Sequence, residues 1–456
     1  MNENIRNISS VILLAFLCIC APRPASALDL LSAYRMAAAT SPMLKEARAL
    51  LEADIAARRS AKSALLPHIG AGAEINYQDA DISGFGEDFA SPAIPPNAFG
   101  DINEQYYGGN YSVKLVQPLI AGESWSALKA ADSRVAAGRA AVVAAEQDLI
   151  VQVADAYFGV LNARAEAGVA RSQKQLLKEI LDQAQANLNV GTGDIISLKE
   201  AQARFDAAES SLIGAWNGLE VARQQLRSLT HQPVGKLLDI ETLEPEGPLP
   251  DAVDPWLATA RDYRPALAQA REQMNAAARQ VEAAERVRWP DMNLNAAYGF
   301  NKGDLFPSVE NRKGLVGLTV SVPLYTGGQI EANVGQAKAQ AEAVRYRLDG
   351  LSDQVNLGVE TAFANLRTSV AQLRALARAL ESSETSFAAT RRGYEVGART
   401  TIDVLAAAQD LENVRRTYYE AKYRHIQARV RLKWAAGILA VEDVAAINGL
   451  LVEKFE

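Results

Sequence analysis

Apolar and polar residues alternate with period two in four segments, the pattern of strands with two unlike faces. In the first, Ile69, Ala71, Ala73, Ile75 and Tyr77 oppose His68, Gly70, Gly72, Glu74, Asn76 and Gln78. The second sets Tyr107, Tyr111, Val113, Leu115 and Leu119 against Asn110, Ser112 and Lys114. The third sets Met292, Leu294, Ala296, Tyr298 and Phe300 against Asp291, Asn293, Asn295 and Asn301. The fourth sets Val316, Leu318, Val320, Val322 and Leu324 against Thr319 and Ser321. The pattern predicts strands at about 67–78, 107–119, 290–301 and 314–325, each near the ~9–11 residues that cross a bilayer at a tilt. A water-facing antiparallel sheet packed on helices would alternate in the same way. Amides and charges on the polar faces, and Tyr and Phe ending the apolar ones, favour the wall of a membrane barrel. Four strands cannot close a barrel, and hydrocarbon tolerates no open sheet edge. Several chains must then share one: two would give eight strands and a filled interior, three would give twelve and a lumen.

Between the strands the period changes to that of helices. Proline is absent between Pro118 and Pro233 and after Pro323. A continuous helix from about Ser124 to Asn189 would measure ~100 Å at 1.5 Å per residue. Val359, Phe363, Leu366, Val370, Leu373, Ala377 and Leu380 step by four and three, as a coiled-coil seam does. Leu411, Val414, Tyr418, Ala421, His425, Ala428, Leu432 and Ala435 continue it. A solvated helical hairpin and one wall of a helical tube both fit. Breaks at Val190-Gly191-Thr192-Gly193-Asp194 and Val396-Gly397-Ala398-Arg399-Thr400 read as hairpin tips.

These elements occur twice. One spacing separates Pro42 from Pro67 and Pro265 from Pro290, and Pro118-Leu119-Ile120-Ala121-Gly122 answers Pro323-Leu324-Tyr325-Thr326-Gly327. Residues 28–232 form the first copy, with its tip near 190–194; residues 253–437 form the second, with its tip near 396–400. A proline-containing linker, 233–252, joins them, and 438–456 is a tail. A duplicated unit of this size predicts a pseudo-symmetric architecture. The loop from about Asp79 to Gln105 is the main difference in length, and long loops suit the outer side of a barrel.

The apolar run Val11–Cys20, then Pro22, Pro24 and Ala25-Ser26-Ala27, reads as a cleaved secretory signal over residues 1–27; an N-terminal membrane anchor is the other reading. Both cysteines lie in that segment, so disulfides, zinc thiolates and cysteine nucleophiles are not expected after cleavage. A net charge of −7 argues against a general nucleic-acid partner. Three histidines scattered over a strand, a linker and a seam suggest no metal site, and no cofactor motif is present. Ser126-Ala127-Leu128-Lys129 fits the S-x-x-K pattern but lacks its companion motifs.

Repeat order, paired Pro-Leu-x-x-Gly strand ends, Val-Gly tips and the stretch Tyr394-Glu395-Val396-Gly397-Ala398-Arg399-Thr400-Thr401-Ile402-Asp403 together resemble the TolC-type family of outer-membrane efflux and secretion channels. Ala435-Ala436-Gly437-Ile438-Leu439 through Asn448 is similar to its type I secretion branch. The resemblance implies an α+β membrane protein: a homotrimer with a shared twelve-strand barrel in outer-membrane lipid over a periplasmic coiled-coil helical barrel. It further implies export of protein or small-molecule cargo with a periplasmic adaptor and an inner-membrane ABC or RND-type pump. Gly191, Thr192, Gly397 and Ala398 would be adaptor-binding tips. Asp403 would line the periplasmic aperture, with Tyr394 and Arg399 helping to hold it shut. Their acidic counterpart falls on Ser197 here, with Asp194 as a substitute one turn earlier. An aspartate ring at a constriction would favour cations and raise the carboxyl pKa; alternatively Asp403 simply caps a helix. The rival functions are a periplasmic coiled-coil adaptor and a structural protein without channel activity.

Overall fold

The computed structural model describes residues 27–82, 102–241, 243–303 and 309–452. Almost all of the expected signal, most of the Asp79–Gln105 loop and the end of the tail lie outside these.

In chain order, α1 (Leu30–Thr40) and α2 (Pro42–Ser63) precede β1 (His68–Ile82) and β2 (Ile102–Ile120), then α3 (Gly122–Asn189) and α4 (Ile195–Thr230). The short strand β3 (Asp239–Ile240) follows. Then come α5 (Val253–Tyr263), α6 (Pro265–Arg286), β4 (Asp291–Gly303), β5 (Val309–Ser321), α7 (Gln329–Glu395) and α8 (Thr401–Ala435). Helix α9 (Val441–Asn448) and β6 (Leu451–Val452) end the described chain. The duplication holds nearly residue for residue: α1 and α5 have 11 residues each and α2 and α6 have 22 each. Helices α3 and α7 have 68 and 67, and α4 and α8 have 36 and 35. Pro42 and Pro265 each open a helix at its first position, where the missing N–H has no intrahelical partner to lose.

The chain divides into two compact units. One comprises Leu50–Arg139 and Gln269–Asp349 and holds an antiparallel sheet in the order β1-β2-β4-β5. Its register aligns Ala73, Tyr111, Phe300 and Arg312 across one face and Glu74, Asn110, Asn301 and Asn311 across the other. Tyr111 stacks on Phe300 at 5.1 Å, and Tyr77 lies 5.3 Å from Tyr107. The apolar face is uncovered: Ile69, Ile75, Tyr107, Val316 and Leu318 are all exposed. Strands β1 and β5 are open edges.

Several boundaries depart from the sequence reading. Strand β1 runs on to Ile82 and β2 begins at Ile102, so both ends of the expected 79–105 loop are strand, and β5 begins at Val309. The fourth strand ends at Ser321, not near 325. Pro323 offers no ladder N–H, and Gly327 and Gly328 turn the chain at φ +64° and +85°. Pro118 instead stays within β2, where the register shifts between Pro118 and Ile120. The expected linker also contains β3, which pairs with β6 of the tail.

The other unit gathers residues up to Ala49, Ala140–Ala268 and the chain from Gly350. Its main core packs Leu30, Tyr34, Leu149, Phe158, Leu226 and Ile426. The buried Tyr157 hydroxyl lies 3.0 Å from the Leu28 carbonyl and 2.8 Å from that of Leu238, while Tyr423 donates to Asp239 at 2.8 Å. The predicted α7–α8 seam is present: Val359, Phe363 and Leu366 pack with Ala428, Leu432 and Ala435 around Trp256. His425 is a fully buried seam residue, its Nδ1 2.8 Å from Ser369 Oγ.

Candidate functional site

The two hairpin tips have the same backbone. Helix α3 ends with Gly191 N–H on the Leu188 carbonyl (3.1 Å) and Thr192 N–H on that of Asn187 (2.9 Å). Helix α7 ends with Gly397 N–H on the Tyr394 carbonyl (3.0 Å) and Ala398 N–H on that of Gly393 (2.8 Å). These are paired Schellman bonds around a left-handed glycine, with φ +77° at Gly191 and +75° at Gly397. Each glycine is needed for its backbone alone, since an added Cβ would touch nothing. Val190 and Val396 beside them are exposed by 74% and 79%.

The helices leaving the tips are capped by one hydroxyl and one carboxylate each, in opposite order. Asp194 is the N-cap of α4: its Oδ1 accepts from Ile196 N–H (2.8 Å) and Ser197 N–H (2.9 Å), and Ser197 Oγ donates to Oδ2 (2.7 Å). Thr400 is the N-cap of α8, and Asp403 stands at the third helical position, where Ser197 stands in the first copy. Asp403 Oδ2 accepts from Thr400 N–H (2.9 Å) and Thr400 Oγ1 (3.0 Å), while Asp403 N–H donates to Thr400 Oγ1 (3.2 Å). This reciprocal capping box is the cap reading of Asp403, with Thr400 rather than Asp403 at the cap position. Within one chain the Asp403 carboxyl lies below its ordinary range, held there by the Thr400 hydrogen bonds and then by Arg399. The rise expected of a charged ring requires other copies. Asp194 is lowered likewise, by its bonds to Ser197.

Tyr394 joins the two hairpins. Asn187 Nδ2 on α3 donates to its hydroxyl at 3.1 Å, and Thr401 Oγ1 at the start of α8 lies 3.4 Å from it. Leu181, Ala184, Ala201, Val404 and Leu405 form the buried cluster against which Tyr394 packs. Asp194 is not brought to Tyr394 or Arg399: its hydrogen bonds among the described residues stay in its own first turn. The Arg399 stem instead packs on Gly393, whose added Cβ would lie 2.9 Å from Arg399 Cγ. In the first copy the roles are exchanged: Asn187 occupies the place of Gly393 and Gly193 the place of Arg399. A Cβ on Gly193 would meet Asn187 Cβ at 3.0 Å. Asn187, Gly393 and Thr401 carry no sequence signal of their own; aligning the two copies position by position would have exposed the Asn187–Gly193 and Gly393–Arg399 exchange.

The family model described as outer membrane efflux protein matches residues 33–231 and 256–438, one segment on each copy. The chain belongs to that family. It is 27% identical to the outer membrane protein TolC of Escherichia coli over 439 residues, covering 93% of this chain and 85% of that protein. It is 28% identical to the alkaline protease secretion protein AprF of Pseudomonas aeruginosa over 434 residues, covering 93% and 87%. The solved Campylobacter jejuni CmeC outer membrane channel superposes with a TM-score of 0.79 at 18% identity, over 92% of this chain and 89% of that one. Membership makes this chain an exit duct of the outer membrane reaching into the periplasm, of the TolC-like α+β channel fold, in a family of transport proteins rather than a known enzyme family.

Proposed function

We propose that three copies of this chain close a twelve-strand barrel in the outer membrane, continued by a periplasmic helical tube that narrows at the two tips. One observation carries this reading: a four-stranded sheet with two open edges and an uncovered apolar face. In hydrocarbon neither edge can remain unpaired, and three copies are the fewest that leave a lumen. Strand β4 (Asp291–Gly303) carries the apolar band; at ~3.3 Å per residue and a ~40° tilt it covers ~30 Å along the membrane normal, enough for the ~25 Å of a barrel's apolar belt. Exposed Ile213, Trp216 and Val221 on α4 and Leu357 on α7 supply apolar surface for helix packing between copies.

Residues 28–232 and 253–437 then act as two repeats after removal of a signal at 1–27. Gly191, Thr192, Gly397 and Ala398, beside Val190 and Val396, form the surface for a periplasmic adaptor serving an inner-membrane ABC or RND-type pump. Asp403, Tyr394 and Arg399 form the aperture, and Ser197 and Asp194 form its first-copy counterpart. The duct works as a conduit for protein or small-molecule cargo, without catalysis or cofactor. Fractionation tests this: a heat-modifiable trimer in outer membranes is expected, and a soluble periplasmic monomer would end the reading.

A further inference from the structure

The sheet register places Lys114 on the polar face with no anionic partner among the described residues. It lies near the middle of β2, in a row with Gly70, Ala297 and Leu315. It makes no ion pair or side-chain hydrogen bond among the described residues and is exposed. Its flanking neighbours are small, so its stem can extend from the wall. The described carboxylates on the same face are distant. Glu74 pairs with Asn110, four positions along β2 or ~13 Å, and is engaged by the Asn110 amide at 3.1 Å. Asp291 lies six positions along β4 from Ala297, or ~20 Å. Because β2 is an inner strand of the sheet, no edge of another copy comes beside it.

We propose that Lys114, repeated once per copy, forms a cationic ring midway along the barrel lumen that favours the passage of anionic solutes. The inference rests on the trimeric barrel proposed above. Twelve strands ~4.8 Å apart at a ~40° tilt give a backbone radius of ~12 Å. A lysine side chain reaches about 6 Å inward on its flexible four-carbon stem, which leaves each ammonium about 6 Å from the axis. That distance is within the ~8 Å Debye length at physiological ionic strength, so the three charges act on the whole cross-section. Lys313, one row further toward the loops, adds to the ring less securely. It lies on edge strand β5, which in a closed barrel meets β1 of another copy, so its surroundings are not set by this chain alone.

The test is the reversal potential of purified trimers in planar bilayers under a tenfold KCl gradient, together with block by tripolyphosphate added on the barrel side. Lys114→Gln should lower the anion-to-cation permeability ratio at least threefold. Lys114→Glu should lower it further and raise the tripolyphosphate concentration for half-block about tenfold or more. Lys129→Gln, on the helix after the barrel strand, should change neither. Conducting Lys114 variants with an unaltered reversal potential and unaltered block would overturn the ring. Wild-type protein that forms no trimer and no pore would instead overturn the barrel reading beneath it.

Discussion

The tips at Gly191 and Gly397 share a backbone and differ in nearly every side chain that matters. Both use a left-handed glycine and two Schellman bonds, and both close the next helix with a hydroxyl–carboxylate pair. Yet the carboxylate is at the cap in one and three residues later in the other, and the small residue that admits the turn stands on opposite sides of it. Duplication has thus kept the hydrogen bonds while moving the charge. One consequence bears on function. Both oxygens of Asp194 are engaged in its own first turn, whereas the bonds to Asp403 converge on Oδ2 and leave Oδ1 outside them.

The largest expected effect follows from that difference. Asp403→Asn should relieve block by multivalent cations at least severalfold in single-channel recordings, and Asp194→Asn should change it little. Equal effects would show that the aperture does not distinguish the copies. Next, Gly393→Asn should destabilise the second tip by about 1–2 kcal/mol through overpacking against Arg399. Adding Arg399→Gly should restore most of it, because the first copy already holds that combination. Hydrogen exchange in the first turn of α8 reports both. Gly191→Ala and Gly397→Ala should each cost ~1 kcal/mol and should match, since only the left-handed backbone opposes the methyl group. The smallest difference concerns acid. Asp194 and Asp403 have folded pKa values below their ordinary 3.8, so the folded tips bind fewer protons than the unfolded chain. Their capping contribution is present above that value and lost as pH falls through the lowered ones. Exchange rates at both tips should rise together in that window.

Strands, helices and duplication were legible because they are written locally: period two, period three and a half, and prolines at matched spacing. The tips were legible from Val-Gly alone. What escaped depends on residues far apart in the chain. Asn187 and Tyr394 are 207 positions apart, and nothing near either announces the other. Strand β3 has two residues and pairs only with a two-residue strand in the tail, too short for any period. The early end of β5 came from reading two Pro-Leu-x-x-Gly segments as equivalent. One proline is absorbed by a register shift, whereas the other precedes two left-handed glycines. Asp403 was legible as a carboxylate at the start of a helix, but its bond to Thr400 and the counterpart bond of Asp194 to Ser197 required the structure.

The central claim we propose is that joins between hairpins hold this end of the duct closed, Asn187–Tyr394–Thr401 being one formed within a single chain. Single-channel conductance of purified trimers tests it most directly. Asn187→Ala with Tyr394→Phe removes both hydrogen bonds and keeps the packed ring. The double variant should conduct measurably more than wild type, with trimer yield unchanged. Intact trimers with wild-type conductance would contradict the claim.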